Sequence, residues 1–124
     1  MGLFCDNEAK THAAIHSNIF PLLFNIGTED KALVSRIVAL LMEKRLSCMG
    51  VYVSYFALNA LKRHGFDDLC DELVTDPGCW KRMLREGATT TFEAWGKDEK
   101  SNCSLFHPWA TAPIIIYAKG VEKY

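Results

Sequence analysis

The chain has 124 residues, 14 of them Lys or Arg against 15 Asp or Glu, and a formal net charge of −1. That length provides for one domain rather than two, and 49 % hydrophobic with 23 % charged residues excludes a disordered chain. The balanced charge argues against a dedicated nucleic-acid binder, which carries a basic excess, and offers nothing to draw the chain to an anionic membrane.

The punctuation of the chain predicts helices. The first spans Asp6 to about Phe24, with Ala9, Ala13, Ala14, Ile15, Ile19, Leu22 and Leu23 as its apolar residues. Pro21 should end or kink it, and Gly27 closes the segment. A second helix fits Thr28 to about Leu46, because Leu33, Ile37, Leu40 and Leu41 recur at i, i+4, i+7 and i+8. Glu29 and Asp30 in its first turn and Lys44 and Arg45 in its last complement the helix dipole. A third fits Val51 to His64, with Tyr52, Tyr55, Phe56 and Asn59 on one side and Gly65 as the residue after its end. Shorter helices fit Asp67 to Thr75 and Trp80 to Glu86, separated by an Asp76-Pro77-Gly78 turn; Gly87 ends the latter.

Beyond Gly87 the character changes. Residues Ala88 to Trp95 are rich in Thr and aromatics, and an extended or irregular stretch is predicted there. Gly96 to Cys103 reads as a polar loop. A last helix is predicted from His107 or Pro108 to Lys119, kinked at Pro113, and buried because Ile114, Ile115, Ile116 and Tyr117 are apolar all round. The sum is a single all-α domain over residues 1–124 of antiparallel helical hairpins.

No apolar run approaches the roughly 20 residues that span a bilayer, and no basic stretch precedes an apolar core at the start of the chain. These features predict a cytoplasmic protein without membrane contacts. Met1-Gly2 has the opening of a myristoylation site, but Asp6 stands where Ser or Thr is required. The five cysteines, Cys5, Cys48, Cys70, Cys79 and Cys103, are odd in number and form no CxxC, so reduced and mostly buried thiols are expected. His12 and His16 stand four apart, a spacing that places both on one helix face and suits a metal, but neither an HExxH pattern nor a third ligand accompanies them. There is no Gly-rich nucleotide loop and no GxSxG, so no cofactor is expected.

The chemistry points to residues 80–109, which hold all three tryptophans, a Thr triplet, Glu93 and His107. Tryptophan rings stack on the C–H faces of sugars, and carboxylates hold hydroxyls or move protons. Glu93, flanked by Phe92, Ala94 and Trp95, is expected to have a raised pKa if solvent is kept from it. Asp98 and Glu99 are the acids nearest to it in sequence; as loop residues they read first as solvated charges.

This region resembles the end of the catalytic domain of the α-L-rhamnosidases of glycoside hydrolase family 78. Trp80, Met83-Leu84, Gly87-Ala88-Thr89-Thr90, Glu93 and Trp95 match the family run W-x-x-M-L-x-x-G-A-T-T-x-W-E-x-W, with Phe92 in place of its second Trp. Ser104-Leu105-Phe106-His107-Pro108-Trp109 through Pro113 matches the following S-L-x-H-x-W-x-x-x-P. Upstream, His16-Ser17-Asn18-Ile19-Phe20-Pro21-Leu22 and Met49-Gly50-Val51-Tyr52 resemble a helix end and a turn of the same family, so the likeness covers nearly the whole chain.

The resemblance implies an (α/α)6 barrel of six helical hairpins and inverting hydrolysis of terminal α-L-rhamnosides. It assigns Glu93 as general base, His107 to the rhamnose subsite, and Trp95 and Trp109 to the pocket wall. A ring of twelve helices at about 12 residues each, with loops of about 5, needs roughly 200 residues, so a partial barrel is expected here. The resemblance places the general acid upstream of the matched segment. An open part-ring exposes apolar helix faces, which predicts a homo-oligomer or a covering segment. The rival expectation is a helical module without catalysis, or a truncated homologue, that self-associates.

Overall fold

The computed structural model describes residues 2–119. Among them are six α-helices and no strand: α1 His16–Leu23, α2 Lys31–Lys44, α3 Val51–Arg63, α4 Asp67–Val74, α5 Trp80–Arg85 and α6 Ala112–Lys119. Short 3₁₀ turns at Leu46–Cys48 and Pro108–Ala110 complete the regular structure. The fold is all-α, as the sequence predicts. Among the described residues, no helix is long and apolar enough to cross a membrane.

The first helix is shorter than its apolar pattern suggests, because local side-chain bonds hold residues 6–14 in another conformation. The Asp6 carboxylate accepts from the Ala14 amide at 3.1 Å and from the Ser17 hydroxyl, and it meets His12 Nδ1. Asn7 takes up Thr11 through both its amide groups. Short polar side chains of this kind compete with the helical ladder. Asp6 also sets a negative charge at the positive end of α1. Asn18, fully buried on α1, exchanges hydrogen bonds with the Phe4 amide and carbonyl, both at 3.0 Å, and donates to the Ala14 carbonyl at 2.8 Å. The entering chain is thereby sewn to the helix. Pro21 lies within α1, which runs two residues past it.

Asp30 is the N-cap of α2, its carboxylate accepting from the Ala32 and Leu33 amides at 2.8 and 3.1 Å. Such a cap contributes about 1 kcal/mol. At the other end Arg45 adopts φ 61°. Its guanidinium bonds Asp76 at 2.9 Å and Glu72 at 2.7 Å, tying the exit of α2 to the end of α4. Asp76 in turn accepts from the Gly78 amide at 2.7 Å, which fixes the turn read from the sequence.

The core is built around α3. Val51, Ser54, Ala57, Leu58, Asn59, Ala60 and Leu61 are all buried on it, and it packs against α1, α4 and α6. Leu22, Leu23, Val34 and Ile37 join α1 to α2, with Ala60 behind them. Gly65 follows α3 at φ +78°, the left-handed residue that ends many helices.

The C-terminal helix departs from its expected form. It does not start at Pro108 and kink at Pro113. Pro108 opens the separate 3₁₀ turn, and Pro113 sits in the first turn of α6, where its missing N–H costs no helical bond. Nor is α6 buried all round: Ala112 and Ile116 face the core, whereas Ile114 is 67 % exposed.

Candidate functional site

Residues 88–95 are irregular, as the Thr-rich composition suggests, and they are held by pairing with residues 104–107. The His107 amide donates to the Thr91 carbonyl at 2.7 Å, and the Glu93 amide to the Ser104 carbonyl at 2.9 Å. The Thr91 hydroxyl closes the pair by donating to the His107 carbonyl at 2.6 Å. This pairing brings Glu93 and His107, fourteen positions apart in sequence, into one site.

Glu93 has both carboxylate oxygens engaged. Lys100 Nζ bonds Oε1, and the Ser104 amide donates to Oε2 at 3.1 Å. These partners, Lys100 foremost, hold the carboxyl below the usual glutamate value, with a small contribution from His107. The sequence led to the opposite expectation, a carboxyl raised by its apolar neighbours. The reason is direction: Phe92 and Trp95 are buried in the core, while the Glu93 side chain between them reaches a cation and an amide.

Next to Glu93 stands an aromatic cluster. The Tyr52 ring, at the start of α3, meets His107 edge-on with centroids 5.2 Å apart and Trp109 with centroids 5.1 Å apart. His107 Nε2 is shielded from solvent and has no hydrogen-bond partner in the protein. Trp109 is 68 % exposed. Beyond it, Tyr52, Tyr55, Phe56, Pro108, Trp109 and Ile115 line an apolar cleft of about 380 Å³.

Trp95 lies elsewhere than the resemblance implies. It is 2 % exposed, its indole N–H donates to the Met49 carbonyl at 2.7 Å, and its ring meets Trp80 edge-on at 4.9 Å. Trp80 donates likewise to the Ala110 carbonyl at 2.7 Å. Two of the three tryptophans are therefore core pegs that tie residues 80–95 to the turns before α3 and α6. Only Trp109 presents its ring to solvent at the site.

Asp98 and Glu99 are not free acids either. Both are ion-paired to Arg82, which also holds Glu86 at 2.9 Å. His12 lies outside α1, so the helical spacing with His16 places no pair on a common face. Among the described residues, no group of three or more His, Cys, Asp or Glu is gathered as metal ligands would be. All five thiols are free, but only Cys70 and Cys79 are buried; Cys48 is exposed.

Sequence reasoning passed over Tyr52 as a site residue, and over Lys100. Tyr52 reads as one of several aromatic residues on α3, and Lys100 as one charge in a polar loop; only the chain pairing at 91–107 shows where each points.

No curated protein and no solved structure matches the chain. Residues 3–119 match the model of the bacterial alpha-L-rhamnosidase 6 hairpin glycosidase domain. The match spans all six helices and the Glu93–His107 pairing, and the chain belongs to that six-hairpin glycosidase family.

Proposed function

We propose that the face formed by Glu93, Tyr52, His107 and Trp109 binds a terminal α-L-rhamnoside, and that Glu93 is the general base of an inverting hydrolysis. In such a reaction a carboxylate takes a proton from water as the water oxygen attacks the anomeric carbon. The glycosidic C–O bond breaks, and an acid about 6.5–9.5 Å away protonates the departing oxygen. The observation that carries this reading is the Glu93 carboxylate, bonded by Lys100 and the Ser104 amide, on the paired segments that also bring His107 against Tyr52. An ionised carboxylate is the state a base requires. His107 Nε2 is shielded from solvent and has no partner in the protein, so a sugar hydroxyl reaches it only if the surrounding rings give way, and Trp109 offers its ring to a C–H face. With Asp98 and Glu99 committed to Arg82, the acid is assigned to neither.

Release of nitrophenol from p-nitrophenyl α-L-rhamnoside tests the reading, with Glu93→Gln as control. Loss of a general base lowers the rate about 10²–10⁴-fold. Equal release by the two proteins overturns the enzymatic reading.

A second reading is a self-associating helical module without catalysis. It is favoured by the apolar cleft and by Phe106, Trp109 and Ile114, each about two-thirds exposed or more. Light scattering across a concentration series tests it; a monomer at all concentrations removes it.

A further inference from the structure

Residues Lys97, Asp98, Glu99 and Lys100 form an unbroken charged run in a loop. A solvated run of this kind would leave its side chains free. Instead each is tied to a particular group. The Lys97 amide donates to Glu86 Oε2 at 2.8 Å, and its Nζ to the Glu86 carbonyl at 2.7 Å. Asp98 and Glu99 take separate nitrogens of Arg82, whose Nε holds Glu86. Glu99 Oε2 also accepts from the Trp95 amide at 3.3 Å. The base of the loop is thus clamped to α5 through Arg82 and Glu86, and Lys100 projects from this clamp onto Glu93.

We propose that Lys100 is the positioning residue of Glu93, aimed by the Arg82 clamp, and that it fixes the carboxylate in one orientation, with Oε1 toward the loop and Oε2 toward the Ser104 amide. The inference rests on the assignment of Glu93 as general base. A carboxylate has about four acceptor sites, and the two bonds described leave the others for a water and a sugar hydroxyl. A carboxylate without Lys100 would rotate, present its lone pairs in several directions and protonate at higher pH. The titratable groups around the pair are Lys100 and Cys103 from the loop, His107 from the segment paired with residue 91, and Tyr52 from α3. Of these only Lys100 bonds the carboxylate.

The test is a carbon-13 NMR titration of the Glu93 side-chain carboxyl in the full chain, in Lys100→Met and in Lys100→Arg, with the pH profile of rhamnoside hydrolysis measured alongside. The expected result is an upward move of the Glu93 midpoint in Lys100→Met, return toward the parent value in Lys100→Arg, and a matching move of the acid limb of kcat/KM. Arg82→Met should move the midpoint in the same direction by less. An unmoved midpoint in Lys100→Met overturns the proposal, as does a moved midpoint with an unmoved acid limb in an active protein. A moved and rescued midpoint in a protein without hydrolysis upholds the hold of Lys100 on Glu93 while refuting the catalytic assignment of Glu93.

Discussion

Arg82 packs its guanidinium so closely on Gly96 that a methyl group at residue 96 would overlap it. The glycine is required there because the guanidinium is fixed by three carboxylates and has no room to retreat without breaking an ion pair. Gly96→Ala should therefore destabilise the chain by about 1–3 kcal/mol, the usual range for overpacking, in urea unfolding. The cost should shrink in an Arg82→Ala background, because the two residues share one contact. A fully additive double variant would contradict this account.

Trp95 and Trp109 should separate cleanly on substitution. Trp95→Phe leaves the Met49 carbonyl without its donor in the core, a loss of about 1–3 kcal/mol. Trp109→Phe or Trp109→Ala removes an exposed ring and should change stability by about 0.5 kcal/mol or less. The same Trp109→Ala substitution should weaken rhamnose binding, measured by calorimetry. The opposite ranking in unfolding experiments would place the wrong indole at the surface.

Acid should destabilise the fold through a defined set of carboxylates. Asp6 is lowered by Ser17, the Ala14 amide and His12; Glu86 by the Lys97 amide and Arg82; and Glu93 by Lys100 and the Ser104 amide. Asp76 is pushed up by burial, but the Gly78 amide and Arg45 together outweigh that and leave it lowered. A lowered folded value means that the unfolded chain binds more protons as pH falls past the ordinary values of 3.8 for Asp and 4.5 for Glu. The stabilisation from these groups is complete above that range and is lost as pH falls through the folded values. Urea midpoints should hold level from these groups between about pH 6 and 7 and drop below about pH 4. Lys100→Met should flatten part of the drop.

The thiols should react in order of exposure. Burial pushes Cys70 up to about 11 and Cys79 up to about 12, so both remain protonated and shielded at neutral pH. Cys48 is exposed and should supply the fast phase with a disulfide reagent on the folded chain. Cys48→Ser should abolish that phase. Rapid labelling of Cys79 would contradict the packing of the turn before α5.

The helices were legible because their signals are local. Gly65 after the third helix and Asp76-Pro77-Gly78 act within a few residues and stand as read, and the i, i+4, i+7 pattern located the second helix, although Asp30, read as part of its first turn, is its N-cap. One boundary, the start of the first helix, was lost to longer-range bonds. Asp6 captures residues 12, 14 and 17 from outside the helix, and the apolar period over 9–15 carries no trace of that capture. The site was legible in part. The family motif drew attention to Glu93, His107 and Trp109, which the structure gathers, and to Trp95, which it buries. The electrostatic state of Glu93 was not legible, because it depends on a lysine seven residues away whose direction is set by Arg82.

The burial of Trp95 and the partial burial of Trp80, with Trp109 exposed, have a spectroscopic consequence. The two indoles packed ring against ring should emit to the blue of the third and exchange excitation with each other, while the third emits to the red and meets iodide freely. A sugar settling on that outer ring would shift and shield one colour of the emission and leave the other untouched, so the native chain carries its own optical gauge of occupancy, with no dye attached.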